Sequence, residues 1–161
     1  MSSCVFPGSF DPVTIGHMDV ISRASIVFDH VRVTVMINMN KQGRISIADR
    51  IRILKKACMR FPNVEVEQWN GLLADYMREH GEKILIRGVR SCTEYEHEYV
   101  SALMNRKLND QFETLLMPSD PSLSAVSSSA VREIARFGGD IKDLVPKECL
   151  KDIQKILSKE K

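Results

Sequence analysis

Hydrophobic residues recur along this chain with two periods, one typical of strands and the other typical of helices. At every second position from Val31 to Ile37 the side chain is apolar, which predicts a strand. From Ile47 to Phe61 the apolar residues are spaced by four and three, which predicts an amphipathic helix. The predicted strands are 4–6, 31–37, 64–66, 84–86 and 115–117, and the predicted helices are 18–24, 47–61, 72–80, 95–106 and the segment from 147 onward.

The alternation of strands and helices predicts the fold class. Five repeats of this alternation favour a parallel sheet, because right-handed crossover connections place helices on its faces. The chain has 161 residues, close to the size of one domain. We therefore expect an α/β fold in which residues 1–161 form a single doubly wound, Rossmann-like domain, with a five-stranded parallel sheet and helices on both faces. The continuously apolar runs 84–86 and 115–117 predict strands that are buried on both faces.

Charge and composition exclude several classes of protein. Lys and Arg number 23 and Asp and Glu number 21, a net charge of +2, and 43% of the residues are hydrophobic. This ordinary globular composition argues against disorder and against non-specific binding to nucleic acid. The four cysteines form no CxxC pair, so we expect reduced thiols and no zinc site. With no leader sequence and no run of about 18 apolar residues, we expect a cytoplasmic protein that does not enter the membrane.

Four polar segments follow predicted strands. They are residues 7–17 (PGSFDPVTIGH), 38–41 (NMNK), 87–90 (RGVR) and 127–132 (SSSAVR). Doubly wound sheets bind ligands outside the carboxyl ends of their strands, so we expect these segments to meet at one rim. That rim would carry cations, hydroxyl groups and free helix N–H groups, a combination that holds polyphosphates. Neither GxxxxGK[ST] nor GxGxxG occurs, so we expect a different phosphate cradle.

Each of these residues also has an ordinary structural explanation. His17 alone could be a surface or capping histidine, and one serine of the run 127–129 could be a helix N-cap. Arg87 and Arg90 could each be a surface charge. Arg132, in the first turn of a predicted helix, is unfavourable against the helix dipole unless an anion lies nearby. The combination favours phosphate binding over these single explanations.

The motifs, taken in order, resemble a known family. PGSFDPVTIGH with SSSAVRE downstream is similar to the HxGH-type nucleotidylyltransferases, here in the form TxGH. The segments LIRGVR, MNRKL, LLMPS and GGDIKDLVP resemble the phosphopantetheine adenylyltransferase family in particular, and the resemblance extends from Phe6 to about Pro146. It implies transfer of the adenylyl group of ATP to 4′-phosphopantetheine, giving dephospho-coenzyme A and pyrophosphate. It also implies that Mg²⁺ enters with ATP, that coenzyme A is a feedback inhibitor and that the protein is a homohexamer.

The resemblance assigns residues to roles as well. It implies that His17, Lys41 and Arg90 are catalytic. No Asp/Glu cluster on the rim offers a set of ligands for magnesium, so we expect no metal site made by the protein alone. The residues implied to hold phosphopantetheine are Ser9, Lys41, Leu73 and Arg87. The residues implied to bind ATP are Ser9, Phe10, His17, Gly88, Val89, Arg90, Glu98, Val126, Ser127, Ser128 and Ser129.

The residues themselves agree with such a reaction. An acceptor phosphate is already a nucleophile, so no Ser/His/Asp or Cys/His arrangement is needed, and catalysis relies on positioning and charge stabilisation. The helix predicted after the third strand carries Leu72, Leu73 and Met77, which we expect to line an apolar channel for the pantetheine arm. Two alternatives stay open. One is another nucleotidylyltransferase, such as a nicotinamide mononucleotide adenylyltransferase or one with a cytidylyl donor, and the other is a non-catalytic nucleotide-binding module on the same fold.

Overall fold

The predicted strands form one parallel sheet. The protein is represented by a computed structural model, which describes residues 1–37 and 43–158. Its strands are β1 (Ser3–Gly8), β2 (His30–Ile37), β3 (Val64–Asn70), β4 (Ile84–Val89) and β5 (Glu113–Pro118). They lie side by side in the order β3-β2-β1-β4-β5, and each neighbouring pair is parallel. The five-stranded parallel sheet is therefore confirmed.

Six α-helices occur in the described part of the chain. They are α1 (Ile15–Val27), α2 (Ile47–Cys58), α3 (Leu73–Glu79), α4 (Cys92–Leu108), α5 (Ser128–Arg136) and α6 (Leu150–Ser158). Several begin with a side-chain cap; for example, the Ser46 hydroxyl accepts a hydrogen bond from a backbone N–H in the first turn of α2. The helix predicted from residue 147 starts with a 3₁₀ turn, Lys147–Cys149, which leads into α6. Within the described ranges, no helix has the length and apolar character that crossing a bilayer requires.

Alternate residues of the central strands build a separate core on each face of the sheet. Phe6, Val33 and Ile86 pack on one face, in a cluster with apolar residues of α1, α2, α5 and α6. Val5 and Leu85 pack on the other face with the buried side chains of α3. Each large aliphatic side chain buried in this way contributes about 1.5–3 kcal/mol relative to an exposed position. Helices therefore cover both faces, as the doubly wound prediction requires.

One prediction about burial at an edge of the sheet is wrong, and a helix that packs near this edge is also exposed. The sequence predicts that residues 115–117 are buried on both faces, but β5 is an edge strand that pairs only with β4, and Leu115 is 43% exposed. Helix α4 forms as predicted, yet it contains no buried residue, and Tyr95, Tyr99 and Leu103 of its apolar stripe are each about half exposed. Burial here depends on position in the sheet, which a local apolar pattern does not contain.

The direction of the chain connections reverses between β1 and β4. From β1 the chain crosses to β2, whereas from β4 it crosses to β5 on the opposite side of the sheet. Such a reversal leaves a crevice at the carboxyl ends of the two strands, where doubly wound sheets bind their ligands. Val5 of β1 lies opposite Leu85 of β4 in the same register. The residues that follow Gly8 and Val89 therefore meet at this crevice.

Candidate active site

A cavity of about 1080 Å³ opens at the crevice. Its walls come from the ends of β1 and β4, from residues 43–47, and from α1, α4 and the start of α5. Among the described residues, five arginines and three carboxylates line it, so the walls carry an excess of positive charge. Excess cations in a concave site attract polyphosphate ligands. The predicted site residues that line the cavity are Ser9, His17, Leu73, Arg87, Gly88, Arg90, Glu98, Val126, Ser127, Ser128 and Ser129.

His17 lies in the first turn of α1 and faces this cavity. Its Nδ1 accepts a hydrogen bond at 3.0 Å from the backbone N–H of Thr14, in a capping box with that N-cap residue. Because Nδ1 is the acceptor, Nε2 carries the proton of the neutral ring. The ring of Phe10 packs edge-on against the imidazole, with the ring centres 5.0 Å apart. His17 therefore offers the cavity one oriented N–H donor.

The ring of His17 stays neutral at physiological pH. Burial, and then the positive charges of Arg90 and Arg87, lower its pKa from 6.5 to about 4. All of these causes disfavour the imidazolium form. At pH 7 the ring can therefore stabilise charge that develops on a phosphate oxygen, and it does so as a neutral hydrogen-bond donor without a net charge of its own.

Arg87 connects the two strands that flank the crevice. Its Nη1 donates to the carbonyl of Pro7 in β1 at 2.9 Å, while Nε and Nη2 donate to the two carboxylate oxygens of Glu98 at 2.8 and 2.6 Å. This two-pronged contact fixes the orientation of the guanidinium at the cavity wall. The resemblance assigns Glu98 to the nucleotide, whereas the structure places its carboxylate on Arg87, a residue of the predicted acceptor side.

Arg90 is held by Glu94, a carboxylate that the sequence analysis did not single out. The backbone N–H and the Nε of Arg90 donate to one oxygen of Glu94 at 2.8 and 3.1 Å, and its Nη2 donates to the other. Its Nη1 donates to the carbonyl of Val126. Burial acts to raise the pKa of Glu94, but the bonds from Arg90 outweigh it and keep the pKa below its ordinary value. Arg90 thus ties the β4–α4 turn to the loop before α5.

The three serines at the start of α5 have partners within the chain. Ser127 is the N-cap and accepts a hydrogen bond from a backbone N–H of the first turn, and the Ser128 hydroxyl donates to the carbonyl of Pro12 at 2.7 Å. Nη2 of Arg132 donates to the Ser129 hydroxyl at 3.1 Å. Capping and anion binding are compatible, because the first backbone N–H groups of a helix lack intrahelical partners and these line the cavity.

Asp11 and Arg50 also line the cavity, and the sequence analysis singled out neither of them. Both are buried and they form an ion pair. Asp11 lies inside the PGSFDPVTIGH motif. A carboxylate among residues suited to binding anions could have indicated that Asp11 has a structural partner. The burial of Arg50 could not be predicted from the sequence, because an arginine on an amphipathic helix is ordinarily exposed.

Two of the predicted residues that the structure describes, Phe10 and Val89, do not line the cavity. The side chain of Phe10 is 1% exposed and belongs to the core, with a backbone φ of 46°. Val89 ends β4 but does not line the cavity. Neither Phe10 nor Val89 is therefore placed to contact a ligand in the cavity. Lys41, predicted to be catalytic, lies outside the described residues, as does the rest of the segment 38–42.

The apolar channel predicted on the third helix is reduced to one residue. Leu73 lines the cavity, but Met77 is 1% exposed and packs in the core beneath α3. Leu72 is the N-cap of α3, is 58% exposed and does not line the cavity. The three residues therefore do not share one environment, because only Met77 is buried against the sheet.

Comparison with known proteins finds relatives that span the chain. Residues 5–134 match the model of the family described as Cytidylyltransferase-like. A Clostridium perfringens (strain ATCC 13124) protein named phosphopantetheine adenylyltransferase is 46% identical over 96% of this chain and 94% of its own length. A Clostridium tetani protein of the same name is 46% identical over 96% of this chain and 97% of its own length. Another from Clostridium botulinum (strain Hall) is 44% identical over 100% of this chain and 98% of its own length. A solved structure from Vibrio parahaemolyticus, described as a nicotinate-nucleotide adenylyltransferase, shares the fold with a TM-score of 0.69 at 16% identity, covering 100% of this chain and 98% of that one.

Proposed function

The chain belongs to the phosphopantetheine adenylyltransferases of the cytidylyltransferase-like family, and on that premise we propose that its cavity transfers the adenylyl group of ATP to 4′-phosphopantetheine. The chain is a nucleotidyltransferase, and its products in this reaction are dephospho-coenzyme A and pyrophosphate. The observation that carries the proposal is the neutral, oriented donor of His17, which lies with Arg87 and Arg90 where the chain connections reverse.

The proposed step is an in-line displacement at the α-phosphorus of ATP. An oxygen of the acceptor phosphate forms a bond to that phosphorus, the bond to the bridging oxygen breaks, and pyrophosphate leaves with the electron pair. The acceptor needs no activation by a protein nucleophile, so the protein contributes alignment and charge stabilisation. Nε2–H of His17 donates to the oxygen on which negative charge develops. Lys41 remains a predicted catalytic residue.

In this proposal the two arginines at the end of β4 bind different ligands. Arg87 binds the phosphate of the acceptor, and Arg90 binds the nucleotide together with the backbone N–H groups at the start of α5. Each guanidinium is already held by a glutamate and a backbone carbonyl, which supports the proposal because a ligand then meets donors in a fixed orientation. Leu73 contacts the arm of the acceptor, and Ser9 lies between the two ligands.

Mg²⁺ enters with ATP in this proposal. The three carboxylates that line the cavity, on Asp11, Glu94 and Glu98, all contact arginines. No group of three or more His, Cys, Asp or Glu suited to a metal occurs among the described residues. These donors fit an ion carried mainly by substrate phosphates and water. Bound to ATP, Mg²⁺ would neutralise charge on the leaving pyrophosphate.

We also propose that the protein is a cytoplasmic homohexamer inhibited by coenzyme A. Self-association is supported by the α4 surface, where apolar side chains are about half exposed although a soluble monomer rarely leaves such a patch uncovered. Inhibition is supported by chemistry, because coenzyme A contains both the pantetheine arm and an adenine nucleotide and would compete for one cavity. The α4 residues concerned are Tyr95, Tyr99, Val100, Leu103, Met104 and Leu108.

Pyrophosphate release across a panel of acceptors tests the reaction. With ATP and Mg²⁺, we expect a specificity constant for 4′-phosphopantetheine at least about 100-fold above that for nicotinamide mononucleotide, a gap that several lost contacts produce. Pantetheine without its phosphate is the matched control, since it keeps the arm and lacks the nucleophile. Comparable rates with nicotinamide mononucleotide would favour that alternative, and no release with any acceptor would favour a non-catalytic module.

A further inference from the structure

A buried ion pair lies between separate walls of the cavity. A carboxylate oxygen of Asp11, in the turn after β1, lies 3.4 Å from Nε of Arg50 in α2. Asp11 is 7% exposed and Arg50 is 6% exposed. Taking two charges out of water is costly and adds little stability by itself. The mechanism described above uses neither residue, so the pair requires another explanation.

The pair holds residues 44 and 45 through the backbone N–H groups of both and through the carbonyl of Ile45. The Asp11 carboxylate accepts hydrogen bonds from the N–H of Arg44 at 3.0 Å and of Ile45 at 2.8 Å, while Nε of Arg50 donates to the carbonyl of Ile45 at 2.7 Å. Nη1 of Arg50 also donates to the carbonyl of Ser9 at 3.3 Å. These contacts set the separation between the turn after β1 and the wall formed by residues 43–47.

Helix α5 is tied to the same turn. Nη1 of Arg132 donates to the backbone carbonyl of Asp11 and lies 3.8 Å from its carboxylate. The Ser128 hydroxyl donates to the carbonyl of the adjacent Pro12. Asp11 thus supplies an anion beside Arg132. The sequence predicts Arg132 in the first turn of a helix, but α5 begins at Ser128, so Arg132 is its fifth residue and lies in the second turn. Three walls of the cavity meet at Asp11.

Because Gly43 has no side chain, the Arg50 guanidinium can occupy the space next to it. A Cβ atom at residue 43 would lie 1.1 Å from Nη2 and 2.3 Å from Cζ of Arg50. Any side chain there must displace the head group, which is the far end of a flexible chain and can move. A substitution at Gly43 therefore disturbs the ion pair without removing either of its members.

We propose that Asp11 and Arg50 are a positioning pair, which holds the wall of residues 43–47 and the start of α5 in register with the turn that leads to His17. The inference rests on the proposed adenylyl transfer. Reaction rate is sensitive to misplacement of about 1 Å, so loosening these walls lowers turnover even when both ligands still bind.

Steady-state pyrophosphate release by Arg50→Gln, Asp11→Asn and Gly43→Ala tests the pair, with stability measured by urea denaturation. We expect each variant to lower kcat about 10- to 100-fold while the KM values for ATP and for the acceptor change less than about threefold. Arg52→Gln is the matched control, because it removes an arginine of the same helix whose ion pairs are exposed. It should leave kcat unchanged.

A double variant gives a further test of the pair, and two outcomes would overturn the proposal. Asp11→Asn combined with Arg50→Gln should lose little more than either change alone, since both break one contact. Reduced stability with normal kcat would make the pair merely structural and overturn the proposal. A raised KM for one substrate at unchanged kcat would overturn it too, by making Arg50 a binding residue. If Arg50→Gln does not fold, Gly43→Ala decides by the same criteria.

The acceptor in these assays is whichever one the wild-type protein uses fastest. Failure of 4′-phosphopantetheine to react would therefore reject the proposed function. The ratio of variant to wild-type kcat would still support or overturn the positioning pair.

Discussion

The two ends of the sheet carry clustered charge of opposite sign. At the carboxyl ends, five arginines and three carboxylates line an open cavity in the part of the chain that the structure describes. Toward the amino ends, one arginine is surrounded by three carboxylates, since Arg32 contacts Glu65, Glu67 and Glu82. The first cluster combines positive charge with open volume, whereas the second is packed between β2, β3 and the start of β4. The cluster at the carboxyl ends is therefore arranged to bind a ligand, whereas the charges around Arg32 contact one another.

Hydrogen bonding by itself does not distinguish the two ends. At the amino end, Glu82 is 5% exposed and accepts hydrogen bonds from Arg32 at 2.9 Å and from the hydroxyl of Ser3. Glu67 accepts from the buried hydroxyl of Tyr76, and burial followed by this bond raises the pKa of that tyrosine. At the carboxyl end Arg87 and Arg90 also have glutamate partners, but they line open space. Ion-pair partners therefore do not distinguish a structural charge cluster from a ligand site, whereas the open volume beside the arginines does.

Among the substitutions that test this difference between the two ends, His17→Ala should have the largest effect on kcat. Removing the Nε2–H donor is expected to lower kcat about 100-fold or more and to weaken ATP binding much less, because such a donor acts mainly on charge in the transition state. Steady-state kinetics and calorimetric binding of ATP measure the two quantities. His30→Ala, at the amino end, is the control and should keep normal kcat. A His17→Ala protein with near-normal turnover would remove this histidine from the mechanism.

Arg87→Ala should have the next largest effect, on the acceptor side alone. Loss of its guanidinium is expected to raise the KM for phosphopantetheine about 10- to 100-fold while the KM for ATP changes less than about threefold. Lys41→Ala is predicted to behave in the same way. Initial rates with each substrate varied in turn distinguish the two constants. A selective loss of ATP binding would show that these cations belong to the nucleotide half.

Much of the fold could be predicted because its periods are local. The alternation from Val31 to Ile37 and the stripe from Ile47 onward are properties of short segments, and both elements form where expected. Exposure at the β5 edge could not be predicted in this way. The order of strands decides which strand lies at an edge, and that order depends on contacts between distant segments. The same pattern of apolar residues is consistent with a central strand and with an edge strand.

The site could be predicted in part for a related reason. The rule that ligands meet the carboxyl ends of strands brought His17, Arg87 and Arg90 together without any side-chain detail. Glu94 was missed, and Glu98 was assigned to the nucleotide and not to Arg87, because such pairings depend on contacts that a local pattern does not contain. The capping box of α1 has histidine at the position where Glu or Gln is customary, so its sequence hides the motif that orients the ring.

A pH-dependent effect of moderate size follows from the low pKa of His17. The folded protein binds this proton only near pH 4, whereas the unfolded chain binds it near 6.5. Between these values the unfolded state holds more protons, so acid lowers the free energy of unfolding. From pH 7 to pH 5, wild type should lose about 1 kcal/mol more than His17→Asn, after allowance for water in the open cavity. Urea denaturation at both pH values measures the difference, with His97→Asn as control. Equal losses in wild type and His17→Asn would contradict a buried, neutral ring.

The smallest effect on turnover is expected at the amino end, from Arg32→Met. Its guanidinium contacts Glu82, so its removal leaves a buried carboxylate without its arginine and should lower the free energy of unfolding by about 2–4 kcal/mol. Because the cluster has no part in binding ATP or acceptor, kcat measured well below the melting temperature should stay within about twofold of wild type. Arg52→Met, whose ion pairs are exposed, should cost less than about 1 kcal/mol and serves as the stability control. A tenfold fall in kcat for folded Arg32→Met would mean that the amino end influences the cavity, and the separation of the two charge clusters would be wrong.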